Sequence, residues 1–128
     1  MALGKIKADT LEHSTAGSLD TSYVVQGSSK AWIYAAAGLA SINGSLNVSS
    51  LGDDATGDGT VNVTNLFSGN TYSAVGTCAA GSSTEVVAFD TDSSSASNWT
   101  FETAGVESTS NRTNRDRRTY STAHGDLA

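Results

Sequence analysis

The sequence predicts an all-β fold: a single antiparallel β-sandwich or jelly-roll-like domain preceded by an extended N-terminal arm. Three observations support this prediction. Apolar side chains recur with a period of two in short runs, and turn-forming clusters lie between these runs. Residues 1–29 contain only scattered Leu, Ile and Val, whereas strand-like runs follow from Lys30 onward. Successive side chains of a strand point to opposite faces, so a period of two is typical of β structure. We place the arm at residues 1–29 and the β-sandwich domain at residues 30–128.

Seven short strands are predicted in the domain from alternating side chains, at residues 31–36, 46–49, 61–64, 72–78, 87–89, 98–102 and 117–124. Clusters of Gly, Asn, Asp and Ser separate several of them, at residues 52–59, 68–70, 81–83 and 90–97. Gly supplies positive φ, and Asn and Asp bond their own backbone, so such clusters favour tight connections between antiparallel strands. Helix is nearly absent from the prediction, because the one helix-friendly stretch, residues 35–40, is brief and contains Gly38.

The composition offers few residues to fill a core. Leu, Ile, Val and Phe number 8, 3, 9 and 3 among 128 residues, whereas Ser and Thr number 20 and 16. A single domain of this size buries roughly two thirds of its chain's surface. With so few bulky side chains, such a domain gains by sharing a core with copies of itself. We therefore expect a homo-oligomer.

Charge and hydropathy exclude two kinds of partner. The net charge of -6 argues against nucleic acid, because nucleic-acid-binding modules usually carry a basic surface. Residues 31–52 carry no charge, but Asn and Ser interrupt their apolar character after 12 residues. A membrane span needs about 20 mostly apolar residues, so no membrane insertion is expected.

The residues that serve catalysis or metal binding are sparse and badly spaced, so we expect no enzyme, no cofactor and no metal site. Cys78 is the single cysteine, and His13 and His124 are far apart in sequence. The acidic segment 53–59 has some features of a calcium loop, but Asn65 stands where a bidentate Glu is expected. A hairpin loop with solvated carboxylates is the favoured interpretation, and calcium binding stays open.

Four of the seven basic residues lie within seven positions, in a chain whose other charges sum to -10: Arg112, Arg115, Arg117 and Arg118. One interpretation is that they grip an anionic surface. The favoured one is that they form salt bridges with carboxylates of the same or a neighbouring chain, since the planar guanidinium suits interface ion pairs. We treat these arginines as a hypothetical oligomer interface.

Three aromatic residues are candidates for stacking on sugars: Tyr72, Trp99 and Tyr120. All three lie in β-compatible runs, so packing in the core is the stronger interpretation for each.

Several segments resemble one known group of proteins. The runs Gly27–Ile33, Ser45–Leu51 and Thr56–Thr64 are similar to the "KAW…NVSS…TGDYTVNF" pattern of virion appendage proteins from tailed phages, cyanophages among them. Residues 6–11 and 125–128 are also similar to that group. The resemblance covers about half the chain and keeps spacing and order.

The resemblance implies a non-enzymatic structural protein on the virion surface, of the tail-fibre or head-decoration type, for which trimers are typical. An arm of 29 residues reaches at most about 100 Å, so the expected form is a small knob or short fibre attached directly to the particle. The arm, with Ile6, Asp9 and Leu11 as hypothetical contacts, would bind a capsid, collar or tail protein. The alternative is a lectin-like tip whose loops 53–59 and 90–97 contact host surface glycan.

Overall fold

The structure is a computed structural model that describes residues 8–15, 17–81, 85–107 and 111–128. These residues form eleven strands and one helix: β1 Thr10–His13, β2 Gly17–Asp20, α1 Thr21–Gly27, β3 Ser29–Ala35, β4 Ile42–Leu46, β5 Val48–Ala55, β6 Asp58–Val63, β7 Ser73–Cys78, β8 Glu85–Ser95, β9 Asn98–Glu107, β10 Arg112–Asn114 and β11 Thr119–His124. The strands pair antiparallel throughout. The predicted all-β, antiparallel, sandwich-like fold is confirmed.

Two sheets form the sandwich. The four-stranded sheet has the order β4-β3-β11-β7, and the five-stranded sheet has the order β10-β9-β6-β5, with β8 also pairing β9. The chain passes from one sheet to the other between β4 and β5. A single residue, Asn47 at φ +55°, makes this corner. Its side chain holds the corner by accepting a hydrogen bond from the Asn65 amide at 2.7 Å and donating one to the Asn65 carbonyl at 3.0 Å. The strand predicted at 46–49 is therefore the junction of two strands.

The core lies between the two sheets. The five-stranded sheet contributes its large side chains, with Trp99, Phe101 and Val61 almost fully buried. The four-stranded sheet contributes mainly small ones, and the alanines at 31, 35 and 123 have no exposed surface. Ile33 is its largest fully buried side chain.

Two predicted turn clusters are mostly strand. In 52–59, only Thr56 and Gly57 form the turn, with Gly57 at φ +84°, and the flanking residues pair as β5 and β6. In 90–97, strand β8 continues to Ser95, because the long strand β9 offers a partner to nearly all of it across a bulge between Thr91 and Ser94. The Gly, Asp and Ser content of the two segments correctly indicates a turn in each. The length of each loop depends on how far the flanking strands pair.

The N-terminal arm is not extended over its described part. β1 and β2 form a hairpin and α1 follows it directly. Asp20 caps this helix, since its side chain accepts a hydrogen bond from the Ser22 amide at 2.8 Å. That backbone bond holds the pKa of Asp20 below its ordinary value. The sequence prediction missed α1 because Val24 and Val25 are β-branched and favour strands. The predicted helix-friendly stretch 35–40 is not helical.

Candidate functional site

The outer side of the four-stranded sheet exposes large apolar side chains. Trp32 is 40% exposed, Leu46 49%, Val75 52% and Tyr120 41%, and Tyr34 lies half-buried among them. We call this set the Trp32 face. The largest contiguous apolar patch on a soluble protein is commonly about 300–600 Å² and is often functional, so the Trp32 face is the candidate binding surface.

Strand pairing brings the five side chains together. Tyr34 lies opposite Tyr120, and Trp32 lies opposite Leu46 on its other neighbouring strand. The rings of Tyr34 and Tyr120 stack with centroids 4.7 Å apart and an interplanar angle of 17°. Val75 lies on β7, one strand beyond Tyr120. The result is a continuous patch across four strands.

A shallow groove of about 440 Å³ runs along this patch, lined by Trp32, Tyr34, Val75, Thr77, Tyr120 and Thr122 among others. Its volume falls in the range of ordinary ligand pockets, roughly 300–1,000 Å³. Some of the polar groups beside the groove already have hydrogen-bond partners. The Thr122 hydroxyl lies 2.5 Å from that of Ser29, and His124 Nδ1 lies 3.0 Å from the Gly27 carbonyl oxygen.

The four-stranded sheet therefore has its bulky side chains on the solvent side. On β3, Trp32 and Tyr34 point outward while Ala31, Ile33 and Ala35 point inward. On β11, Tyr120 points outward while Ser121 and Ala123 point inward. An antiparallel sheet with one solvated face normally shows the opposite arrangement, apolar inward and polar outward.

The outer side of the five-stranded sheet follows the normal rule. Most of its side chains are polar and several bond one another: Thr60 Oγ1 donates to Asp54 Oδ2 at 2.6 Å, and Asn62 Nδ2 donates to Ser50 Oγ at 3.0 Å. Val86 on β8, at 69% exposure, is an exception. The apolar outer face is thus a property of one sheet and does not follow from the composition of the chain.

The three predicted glycan-contact residues lie in three different places. Trp99 has no exposed surface, and its indole N–H donates to the Ser121 hydroxyl, so it packs in the core, which was the stronger interpretation, and offers no surface to a glycan. Tyr72 is half-buried: its ring stacks on Phe67 with centroids 3.9 Å apart, and its hydroxyl donates to the Asn98 carbonyl at 2.6 Å. Burial raises the pKa of Tyr72 to about 12. Tyr120 lies on the Trp32 face.

Sequence reasoning missed the other members of the Trp32 face. Trp32 and Tyr34 alternate with Ala31, Ile33 and Ala35, so the pattern separates two faces without saying which of them is buried. The small size of the alternating alanines was the available signal.

The arginine segment is fixed to the body of the domain. Arg112 on β10 forms an ion pair with Glu102. The Arg115 amide donates to the Thr103 carbonyl at 3.0 Å, and the Arg118 carbonyl accepts from the Ala79 amide at 2.8 Å. Arg115 and Arg117 are half-buried, and Arg118 is exposed. Pairing within the chain thus accounts for Arg112, and a contact of the segment with a second chain stays a prediction.

No side chain of the arm is buried among those that the structure describes, at residues 8–12, 14–15 and 17–28. Leu11 is 50% exposed, Leu19 47%, Tyr23 70% and Val25 55%. Leu11 and Leu19 face each other across the hairpin. Asp9 accepts a hydrogen bond from the Thr21 amide at 2.8 Å through its carbonyl oxygen. Ile6, the remaining arm residue of the prediction, lies outside the described residues.

Other predicted positions offer little chemistry. Cys78 is buried, and its thiol donates to the Ala88 carbonyl at 3.3 Å. Among the described residues, no three His, Cys, Asp or Glu side chains are grouped to hold a metal ion. None of the helices described is long and apolar enough to span a bilayer.

Comparison with known proteins adds no relative: the chain matches no protein-family model, no curated protein and no solved structure.

Proposed function

We propose that the chain is a non-enzymatic structural protein on the surface of a tailed-phage virion, a small trimeric knob or short fibre that decorates the capsid or tail. The observation that carries this proposal is the arm: a hairpin and a helix that place apolar side chains in solvent and bury none of them. The sequence resemblance to virion appendage proteins points in the same direction.

The arm needs a partner for physical reasons. A single two-stranded hairpin is at best marginally stable in water, and an isolated helix shorter than about 12 residues is also marginal. β1 and β2 have four residues each and α1 has seven. A particle protein that covered Leu11, Leu19 and Val25 would stabilise the arm and attach the domain.

The charge of the domain suits a surface position. The chain carries a net charge of -6, so three copies carry about three times that charge. A net charge far from zero keeps proteins soluble and discourages non-specific association among crowded particles.

Particle incorporation tests the proposal. An antibody against the chain should decorate particles of the virus that encodes it, as seen by immunogold microscopy. A virus carrying Leu19→Ser together with Val25→Ser should incorporate at least about tenfold less of the protein, because the arm contact is lost. Val86→Ser is the matched control, since Val86 is 69% exposed on β8, away from the arm. Particles without label, or equal incorporation of both variants, would overturn the proposal.

The alternative, a lectin-like tip, is supported by the exposed aromatic rings of Trp32 and Tyr120. Sugars present many hydroxyl groups, and each one that is buried without a hydrogen bond is costly. The groove beside these rings offers few free polar groups, since Thr122 and His124 already have partners. The structural role is therefore our conclusion.

A further inference from the structure

We infer that the Trp32 face is the surface through which copies of this chain bind one another. This inference rests on the oligomeric part of the proposed function and names the surface that forms the oligomer. It is supported by the size of the side chains, by the distribution of charge and by the area that the face offers.

The first argument is where the large side chains of the four-stranded sheet lie. Its inner side carries mainly Ala, Ser, Thr and Gly, with Ile33 and Ile42 as its large aliphatic residues, whereas its outer side carries Trp32, Tyr34, Tyr120, Leu46 and Val75. Burial of apolar area is the dominant stabilising contribution to folding and association. A sheet whose large apolar side chains lie on its outer face buries most of their area only when a partner covers that face.

The second argument is charge, and it identifies the occupant. The four strands of this sheet contain no Asp or Glu. The five-stranded sheet contains eight, with two in β5, one in β6, three in β8 and two in β9. Two copies of an acidic chain repel wherever both present carboxylates, and like charges opposed in an interface are costly. The strands behind the Trp32 face carry one charged residue, Lys30, which alternation places on the same side as Trp32 and whose ammonium donates to the Ser28 hydroxyl at 2.7 Å. Two copies can therefore meet on this face without opposing carboxylates.

A basic partner protein would fit less well. Such a partner gains attraction from carboxylates, and eight of the chain's thirteen lie in strands of the five-stranded sheet, whereas none lies in the four strands behind the Trp32 face. A face without carboxylates and with Lys30 beside it therefore favours an acidic partner, and a second copy of this chain is acidic by definition.

The third argument is area. Trp32, Leu46, Val75 and Tyr120 are each between 40% and 52% exposed. An aromatic side chain has about 150–250 Å² of surface and Leu and Val have less, so the face offers on the order of 300 Å² of apolar surface per copy. A standard interface buries about 800 Å² per partner and has an apolar centre with a polar rim. The face supplies such a centre, and the threonines beside it supply part of the rim.

Replacing the two exposed rings tests the inference. The full chain, measured by size-exclusion chromatography with light scattering, should have a mass that is a multiple of 13.0 kDa. Trp32→Thr combined with Tyr120→Thr should weaken association by at least about tenfold, as loss of central aromatic residues does at interfaces. Threonine preserves β propensity and is already common on the other sheet. Circular dichroism should show an unchanged β spectrum.

Tyr23→Thr is the matched control, because Tyr23 is aromatic and 70% exposed but lies on α1. This variant should keep the wild-type mass. A wild-type mass of 13.0 kDa at every concentration would overturn the inference. So would a double variant that associates as tightly as the wild type, or a monomer whose Trp32 fluorescence changes when soluble glycans are added.

A second measurement needs no variant. Trp99 is fully buried and Trp32 is 40% exposed, so acrylamide quenching of fluorescence reports mainly on Trp32. Quenching should fall when the concentration rises from the monomeric to the oligomeric range, and equal quenching in both ranges would contradict the inference. Particles that are labelled by antibody while the chain stays monomeric would overturn this inference and the trimeric part of the proposed function, and would leave the virion role standing. An oligomer absent from particles would overturn only the virion role.

Discussion

The indole N–H of Trp99 donates a hydrogen bond to the hydroxyl of Ser121 at 3.1 Å, so the five-stranded sheet is linked to the four-stranded sheet inside the core. The same hydroxyl donates to the Val75 carbonyl at 3.1 Å. Trp99 has no exposed surface and Ser121 is 4% exposed, so no water can replace the serine without entering the core.

Ser121→Ala should lower the free energy of unfolding by about 1–3 kcal/mol, because it leaves the buried indole N–H without an acceptor. Urea unfolding at one fixed protein concentration measures the change. Ser49→Ala, at an exposed position of β5, should stay within about 0.5 kcal/mol of the wild type. Equal effects of the two substitutions would contradict this assignment of the hydrogen bond.

Gly76→Ala should also destabilise the fold. A Cβ at Gly76 would lie 2.6 Å from the Phe89 ring and 2.6 Å from the Tyr120 carbonyl oxygen, and the second of these atoms belongs to a central strand. Overpacking of this kind costs about 1–3 kcal/mol. Gly69→Ala is the control, since a Cβ there meets nothing within 4 Å. A thermal melt should separate the two variants, and similar melting temperatures would show that β7 shifts freely.

The phenol of Tyr72 should titrate at high pH. Burial raises its pKa to about 12, against an ordinary value of 10.0. A group whose pKa is raised by folding stabilises the fold fully below its unfolded pKa, and this stabilisation is lost as the pH rises through the folded value. Stability should therefore fall between about pH 10 and pH 12. Ultraviolet difference titration of the phenolate should show one late tyrosine that disappears in Tyr72→Phe and remains in Tyr23→Phe.

Arg112→Gln should have a small effect on an isolated chain. The arginine and its partner Glu102 are 45% and 31% exposed, and exposed ion pairs contribute only about 0–1 kcal/mol. The effect should decrease further at high salt because mobile ions screen the pair. Urea unfolding in low and high salt measures both quantities. A loss above about 2 kcal/mol that persists in salt would instead indicate that the pair is buried between chains.

Alternation in the sequence predicts the strands well and their faces less well. On β9, Trp99 and Phe101 alternate with polar residues, so the alternation predicts that these two side chains point into the core. Both are buried there. On β3 both alternating sets are apolar. The pattern there cannot show that the alanines point inward, because this depends on how much room the opposite sheet leaves.

The candidate site was only partly predictable for the same reason. Tyr120 was identified among the aromatic candidates, but its stacking partner Tyr34 is 86 positions away in the chain and is brought to it by strand pairing alone. Local patterns do not record such long-range pairing.

The order of the strands also constrains how the chain matures on the ribosome. β11 is inserted between β3 and β7, and the hydroxyl of Thr122 reaches the Ala31 carbonyl from 91 positions away in the sequence. Until β11 emerges from the exit tunnel, β3 and β7 have no common neighbour. The edges of β3 and β7 that β11 later pairs with are therefore without a partner strand. A chain whose translation stops before Thr119 lacks β11 and leaves these strand edges unpaired, so we expect chaperones and proteases to act on it.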